Sequence, residues 1–372
     1  MSGIYIHVPF CRQACNYCNF HFSTSLKLKD NMVDALVAEL FQRKEYINTK
    51  IETVYFGGGT PSLLTEKDLD KIWEAIYKNY STDNLLECTL EANPDDINKE
   101  YLKTLHQFPI DRLSIGIQSF KESDLKYMNR AHSASETEKA VKLAQDAGFE
   151  NITIDLIYGT PGLSNQEWKN HLQKAIDWDI PHISSYALTI EEKTKLAHDI
   201  RMGKSPAPSN ELTAQQFEIM VATLCENGFE HYEISNFAKH QKYAVHNTNY
   251  WKGVPYLGIG PSAHSYNGDS RQWNIANNAL YIKGMNEQQP NFEVEQLSIE
   301  NKMNESLLIG LRTMWGVNLD EFETHFGEEN KIQLYDKLNS VNKCLYQIEN
   351  NKLLLTAAGK LFADHIASEL FF

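Results

Sequence analysis

No apolar run in this chain approaches the ~20 residues that a membrane-spanning helix needs, so none is expected. The amino end, MSGIYIHVPFCRQAC, lacks the charged-then-apolar layout of a secretion signal. Positive charge is also scarce: 35 Lys and Arg stand against 49 Asp and Glu, a net charge of −14. A protein whose main task is to grip phosphate backbones needs the opposite balance, so no nucleic-acid partner is expected. Cysteine is sparse as well, with six in 372 residues. Together these features predict a cytoplasmic protein, and in that reducing compartment a disulfide framework is excluded. What remains is ordinary globular composition, 42% hydrophobic and 23% charged, with length for two or three domains.

The first half alternates short β-rich runs with amphipathic stretches. Strands are expected at Ile4–Val8, Thr53–Phe56, Glu87–Glu91, Arg112–Ile117, Ile152–Ile157 and Ile183–Leu188. Segments such as DNMVDALVAELFQRKEYI and EKDLDKIWEAIYKNY between them carry apolar residues at steps of three and four, the helical period. Six strands in about 190 residues give about 31 per repeat, close to the ~30 of one βαβ unit. The chain is therefore read as α/β with a parallel sheet. Eight units would close a barrel, and six point to an incomplete (β/α)6 barrel, with an open doubly wound sheet as the alternative. After Leu188 the rhythm breaks. RMGKSPAPSNEL reads as an exposed connector, a helix ends at Gly228, and HYEISNFAKH reads as one more strand. From about Ser298 the pattern is helical, and it closes on a short strand and a Thr-initiated helix, suggesting a small winged-helix-like domain. The expected division is a core over 1–230, a connecting region over 231–297 and a terminal domain over 298–372.

Half of the cysteines sit in one place. Cys11, Cys15 and Cys18 fall within eight positions directly after the first strand, where a short loop turns three thiols toward one centre. Cys88, Cys225 and Cys344 have no spacing logic and are expected to be buried as small apolar residues. Zinc in a structural site wants four ligands, which His21 would complete. A cubane iron–sulfur cluster held by three cysteines instead leaves one iron open for another ligand. Tyr17 and Phe20, beside the cysteines, would shield such a centre. The run Gly57-Gly58-Gly59-Thr60 after the second strand is either a tight turn or a place where backbone approaches a ligand.

The run YIHVPFCRQACNYCNF resembles the cluster loop of the radical S-adenosylmethionine (SAM) superfamily. The resemblance extends through GGGTPS, LEANPDD, GIQSF, MNRAH, IDLIYGTPG, SSYALT, HNTNYW and YLGIGPSAHS, over nearly the whole chain. It is narrowest to the branch that holds oxygen-independent coproporphyrinogen III oxidase (HemN) and the haem chaperone HemW. It implies a 4Fe-4S cluster on Cys11, Cys15 and Cys18, with SAM chelated at the open iron. It further implies that Tyr5, Tyr17, Gly58, Gly59, Thr60, Glu91, Gln118, Arg130, Asp155 and Ala187 lie around SAM. Polar groups would then recur at the carboxyl ends of successive strands, where α/β folds place ligands.

Three departures from the oxidase pattern favour the HemW side. Phe20 stands where the oxidase motif continues to a further cysteine, the oxidase's extension ahead of the first strand is missing, and His246-Asn247-Thr248-Asn249-Tyr250-Trp251 matches the HNxxYW motif of HemW. The motif makes His246 a candidate haem-iron ligand, with Tyr250 and Trp251 able to stack on a porphyrin. His264 is a second candidate. Two readings stay open. In the first, a haem-binding protein hands haem to haem-dependent enzymes, including membrane respiratory ones, with cluster and SAM serving assembly, homodimer formation or regulation. In the second, a radical SAM oxidase of porphyrin biosynthesis decarboxylates two porphyrinogen propionates.

Overall fold

The computed structural model describes all residues, 1–372. Six parallel strands form its centre: β1 (Ser2–Val8), β2 (Ile51–Gly58), β3 (Glu87–Ala92), β4 (Arg112–Gln118), β5 (Asn151–Tyr158) and β6 (His182–Ala187). They pair in sequence order. The expected strands are all present, within three residues at each end. Three of the intervening helices start on capping boxes, Thr65 with Asp68, Ser133 with Glu136 and Ser164 with Glu167. Each box satisfies amide donors that a helix start leaves free.

The strands alternate strongly, which is unusual for a parallel sheet covered on both faces. Ile4, Ile6, Val54, Phe56, Leu90, Leu113, Ile115, Ile152 and Ile154 are buried in one apolar core with the surrounding helices. The opposite face carries Tyr5, Tyr55, Glu91, Arg112, Thr153, Asp155 and His182. The sheet curls around this polar face, so residues from β2 through β6 line a single cavity. An open doubly wound sheet is thereby set aside, and the incomplete barrel stands.

Residues 231–297, expected as a connecting region, carry strands that extend the sheet at both edges. HYEISNFAKH forms two strands, β7 (Glu230–Glu233) and β8 (Asn236–Ala238), and β8 pairs antiparallel with β6. At the other edge β9 (Tyr256–Ile259) pairs parallel with β1. β10 (His264–Tyr266), β11 (Ser270–Asn274) and β12 (Phe292–Gln296) continue outward antiparallel.

Residues beyond Ser298 build a second, smaller apolar core around Leu307, Leu319, Phe322, Leu334, Leu353 and Ile366. Its helices pack on a three-stranded antiparallel sheet of β13 (Val317–Asn318), β14 (Tyr346–Glu349) and β15 (Lys352–Leu355). Asn350 and Asn351, both at positive φ, make the tight turn between β14 and β15. No helix is long and apolar enough to cross a membrane. Of the three scattered cysteines only Cys88 is buried, on the helix-facing side of β3; Cys225 and Cys344 are exposed. Cys225 lies in the last turn of the helix Asn210–Glu226, off its buried stripe, and Cys344 in the turn before β14, which corrects the expectation of burial.

Candidate functional site

The upper end of the barrel, at the carboxyl ends of β2 to β6, holds a cavity of about 430 Å³. Twelve of the fourteen residues singled out from the sequence line it: Cys11, Cys15, Tyr17, Cys18, Gly58, Gly59, Thr60, Glu91, Gln118, Arg130, Asp155 and Ala187. Tyr5 and His246 do not.

The cysteine loop is held from outside by the segment after β4. Asn16 donates its backbone N–H to Met128 O at 3.0 Å and its side-chain amide to Tyr127 O at 2.9 Å. Asn129, in the left-handed region at φ 56, donates to Ala14 O at 2.7 Å. Its neighbour Arg130 turns inward. It donates to Cys15 Sγ at 3.4 Å, and to Asn93 Oδ1 and Gly116 O, both at 2.7 Å. Its Nε is buried without a partner.

The glycine run has a steric cause. A Cβ on Gly59 would lie 2.6 Å from Phe10 O and 2.8 Å from Val8 O, so the end of β2 packs directly on the strand that leads into the cysteine loop. Its amide donates to Val8 O at 2.9 Å. The run is thus a structural close approach, and its backbone also borders the cavity. Gln118 ends β4 at φ 63, a conformation that costs free energy for a non-glycine residue and clusters at functional positions.

Charge in the cavity is set by burial. Glu91 is pushed up to about 7, chiefly by burial, although Tyr55 donates to its Oε1 at 2.8 Å. Asp155 is raised to about 6 by burial against the pull of Arg112 and Arg130. Glu91 therefore stands near the middle of its titration at neutral pH, while Asp155 is largely ionised there. Burial pushes Cys11 up to about 11, helped by Cys18 and Cys15, and raises Cys18 too.

Whether these residues fit a cluster follows from the donors. No three His, Cys, Asp or Glu side chains are grouped tightly enough to hold a single metal ion. Yet the three thiols border one space, and Cys18 and Cys15 add electrostatically to the rise at Cys11. That spacing suits a group larger than one ion. His21 is turned away, bonded to Asn278 Oδ1 at 2.7 Å, so the Cys3His zinc set is not assembled. Phe20 lines the cavity mouth but is 69% exposed, and Tyr17 and Phe22 line the same space.

Tyr5 lies one layer below, bonded through its hydroxyl to His7 Nδ1 at 3.2 Å and packed beneath Gly57. His246 lies lower still, at the amino ends of the strands. It is buried, with Nδ1 2.8 Å from Thr53 Oγ1 and Nε2 2.8 Å from Tyr250 Oη. Both ring nitrogens take part in hydrogen bonds. Glu87 accepts the backbone N–H groups of Val245 and His246 at 2.8 and 2.9 Å, capping a helix (Val245–Trp251) that has no capping side chain of its own. Arg112 lies 3.8 Å from Glu87 and bonds Thr153, which meets His182. These groups form a buried polar floor that closes the barrel. His264 is exposed and stacks on Trp273. Sequence reasoning missed Asn93, which ties Arg130 to Thr60, and Tyr186, which lines the cavity. Both lie within matched motifs, Asn93 in LEANPDD and Tyr186 in SSYALT, and that placement is the signal that points to them.

Residues 5–175 match the Radical SAM superfamily. The chain is 35% identical over 327 residues to the heme chaperone HemW of Lactococcus lactis, covering 87% of this chain and 85% of that protein. It is 32% identical to the heme chaperone HemW of Bacillus subtilis, over 98% of both chains. To the mitochondrial radical S-adenosyl methionine domain-containing protein 1 of Danio rerio it is 30% identical, over 92% of this chain and 80% of that one. The solved coproporphyrinogen III oxidase (HemN) of Escherichia coli superposes with a TM-score of 0.86 at 20% identity, over 100% of this chain and 90% of that one, which establishes the shared fold. With three thiols at the mouth of a polar-lined six-stranded barrel and relatives matched from end to end, the chain belongs to the HemW family of the radical SAM superfamily.

Proposed function

We propose that this protein is a cytoplasmic haem chaperone: it binds a 4Fe-4S cluster, SAM and haem, and passes haem to haem-dependent enzymes, respiratory ones among them. The observation that carries this reading is near full-length similarity to proteins named heme chaperone HemW, combined with the HNxxYW segment at the barrel floor.

In this reading Cys11, Cys15 and Cys18 hold three irons, and Phe20 supplies no fourth thiolate. A cluster so held offers an open iron for the methionine end of SAM and a low-potential electron. The protein's own residues do the remaining work. Arg130, buried and donating to Cys15, supplies positive charge beside the cluster loop and keeps one donor free for a ligand carboxylate. Glu91 and Asp155 offer acceptors for hydroxyl or ammonium groups. Thr60 and Gln118 border the same space, and Tyr17 restricts solvent beside the thiols. Raised thiol pKa values mean that ligation releases protons, because only thiolates bind iron.

Anaerobic reconstitution with iron and sulfide tests the first half: the native protein turns brown, and C11A, C15A and C18A each lose most of the colour. Haemin transfer to an apo-haemoprotein tests the second. Turnover of coproporphyrinogen III to protoporphyrinogen with SAM would instead establish the oxidase, and zinc in place of iron would remove the cluster.

A further inference from the structure

Asn93 directly follows β3 and borders the cysteine cavity. A side-chain amide carries an acceptor oxygen and a donor nitrogen at fixed separation. Here both ends are in use, and each serves a partner of a different cysteine. Asn93 Oδ1 accepts from Arg130 at 2.7 Å, and its Nδ2 donates to Thr60 Oγ1 at 3.2 Å. A guanidinium only donates, so Arg130 decides which end of the amide faces it.

Arg130 in turn donates to Cys15 Sγ at 3.4 Å. Thr60 receives the amide on its oxygen and turns its own proton to the Cys11 thiol. One amide therefore holds a donor on each of two sulfurs. The connection runs from Cys11 through Thr60, Asn93 and Arg130 to Cys15, and the cysteine loop closes it into a ring. Bonds linked in series polarise one another, so the two ends are coupled through the amide.

Asn93 is itself fixed in place. Its backbone N–H donates to Ser62 Oγ at 3.3 Å, and Ser62 donates to Asp96 Oδ2 at 2.7 Å. Asp96 is buried and accepts from Arg12 Nε at 3.0 Å, and Arg12 adjoins Cys11 in the chain. The loop that carries the thiols thus also grips the segment that orients their donors. An amide anchored in this way has one productive orientation.

Hydrogen bonds to cluster sulfurs set reduction potential; each withdraws charge, which favours the more negative, reduced form. We propose that Asn93 is a positioning residue that raises the potential of the cluster held by Cys11, Cys15 and Cys18, by keeping Thr60 on one sulfur and Arg130 on another. This rests on the cluster reading above and adds to it the group that tunes the cluster. Aspartate has the shape of asparagine but offers two acceptors. With Asp at 93, Arg130 keeps its bond, whereas Thr60 gives its proton to the carboxylate and Cys11 loses its donor.

Potentiometric titration of full-length protein, reconstituted with iron and sulfide in the absence of SAM, tests it, with the reduced cluster followed by electron paramagnetic resonance. Native protein, N93D, T60V and the double variant are compared, and iron content and thermal melting check loading and folding. At a fixed solution potential, N93D and T60V should each lower the ratio of reduced to oxidised cluster about tenfold, equivalent to about 59 mV for a one-electron couple. The double variant should match N93D, because both changes break the same link. An unchanged potential in loaded N93D, or in loaded T60V, would overturn the role given to Asn93 and leave the cluster reading standing. Fully additive falls would overturn it too, since the two residues would then act separately. Native protein that took up no iron–sulfur cluster would bring down the cluster reading itself.

Discussion

His246 Nδ1 lies 2.8 Å from Thr53 Oγ1, inside the barrel, at the level where β1 and β2 begin. Burial holds its pKa down to about 3, with Arg112 adding to the effect, so the ring is neutral. A neutral imidazole bridging Thr53 and Tyr250 is a structural joint between the sheet and the HNxxYW helix.

His246→Ala should therefore act first on stability. It leaves Thr53 and Tyr250 hydroxyls unpaired and opens space at a fully packed site. Each buried group stripped of its partner costs about 1–3 kcal/mol, and a loss of about 3 kcal/mol is expected in urea unfolding. If the joint is its whole role, the folded variant at saturating haemin should show the native Soret spectrum; a changed spectrum would make His246 a haem-iron ligand.

How far such roles can be read beforehand depends on where the signal is local. The cysteine trio follows a β-rich run directly, the glycine run closes one, and Glu91 and Asp155 lie within the carboxyl halves of theirs, so the strand rule places them toward one rim. The floor was hidden. Glu87, Arg112 and His182 sit at the beginnings of strands, where a charged residue reads as a solvated end, and only curling of the sheet brings them together. The pairing of β9 with β1 joins residues some 250 apart and leaves no periodic trace. A motif match located HNxxYW but could not say which way its histidine faces, and spacing could not tell that Phe20 points to solvent.

Glu91 sets a pH dependence. Its carboxyl, normally near 4.5, is held at about 7 by burial. The neutral form is favoured in the folded state, so this residue stabilises the fold most below its unfolded pKa. That contribution is lost as pH rises from about 4.5 through 7. One pKa unit corresponds to about 1.4 kcal/mol; with the cavity open to water, roughly 2 kcal/mol in all is expected. Glu91→Gln should flatten the fall in thermal stability between pH 5 and 8, and at pH 8 melt higher than the native protein. An unaltered slope would place the titration elsewhere.

Arg130 joins the cysteine loop to the cavity wall through Cys15, Asn93 and Gly116. Lysine cannot reproduce a planar fork with three partners. In Arg130→Lys, SAM affinity measured by calorimetry on reconstituted protein should fall about tenfold, equivalent to about 1.4 kcal/mol. Iron content should decline less, because the thiols remain. Equal loss of both would make Arg130 a support of the loop alone.

Gly59 provides the sharpest steric test. Any Cβ there meets two backbone carbonyls, Phe10 O and Val8 O, and neither can swing aside as a side chain would. Gly162, by contrast, has open space around its Cβ direction, although its φ of 85° disfavours alanine. Overpacking against fixed atoms costs typically 1–3 kcal/mol, whereas the left-handed conformation alone costs about 1–2. Gly59→Ala should thus separate β2 from the entry to the cysteine loop, and reconstituted protein should hold less than half the native iron. Gly162→Ala should lower the melting temperature by a few degrees and leave iron content unchanged. If the two variants proved alike in iron retention, close packing at Gly59 would not be what positions the thiols.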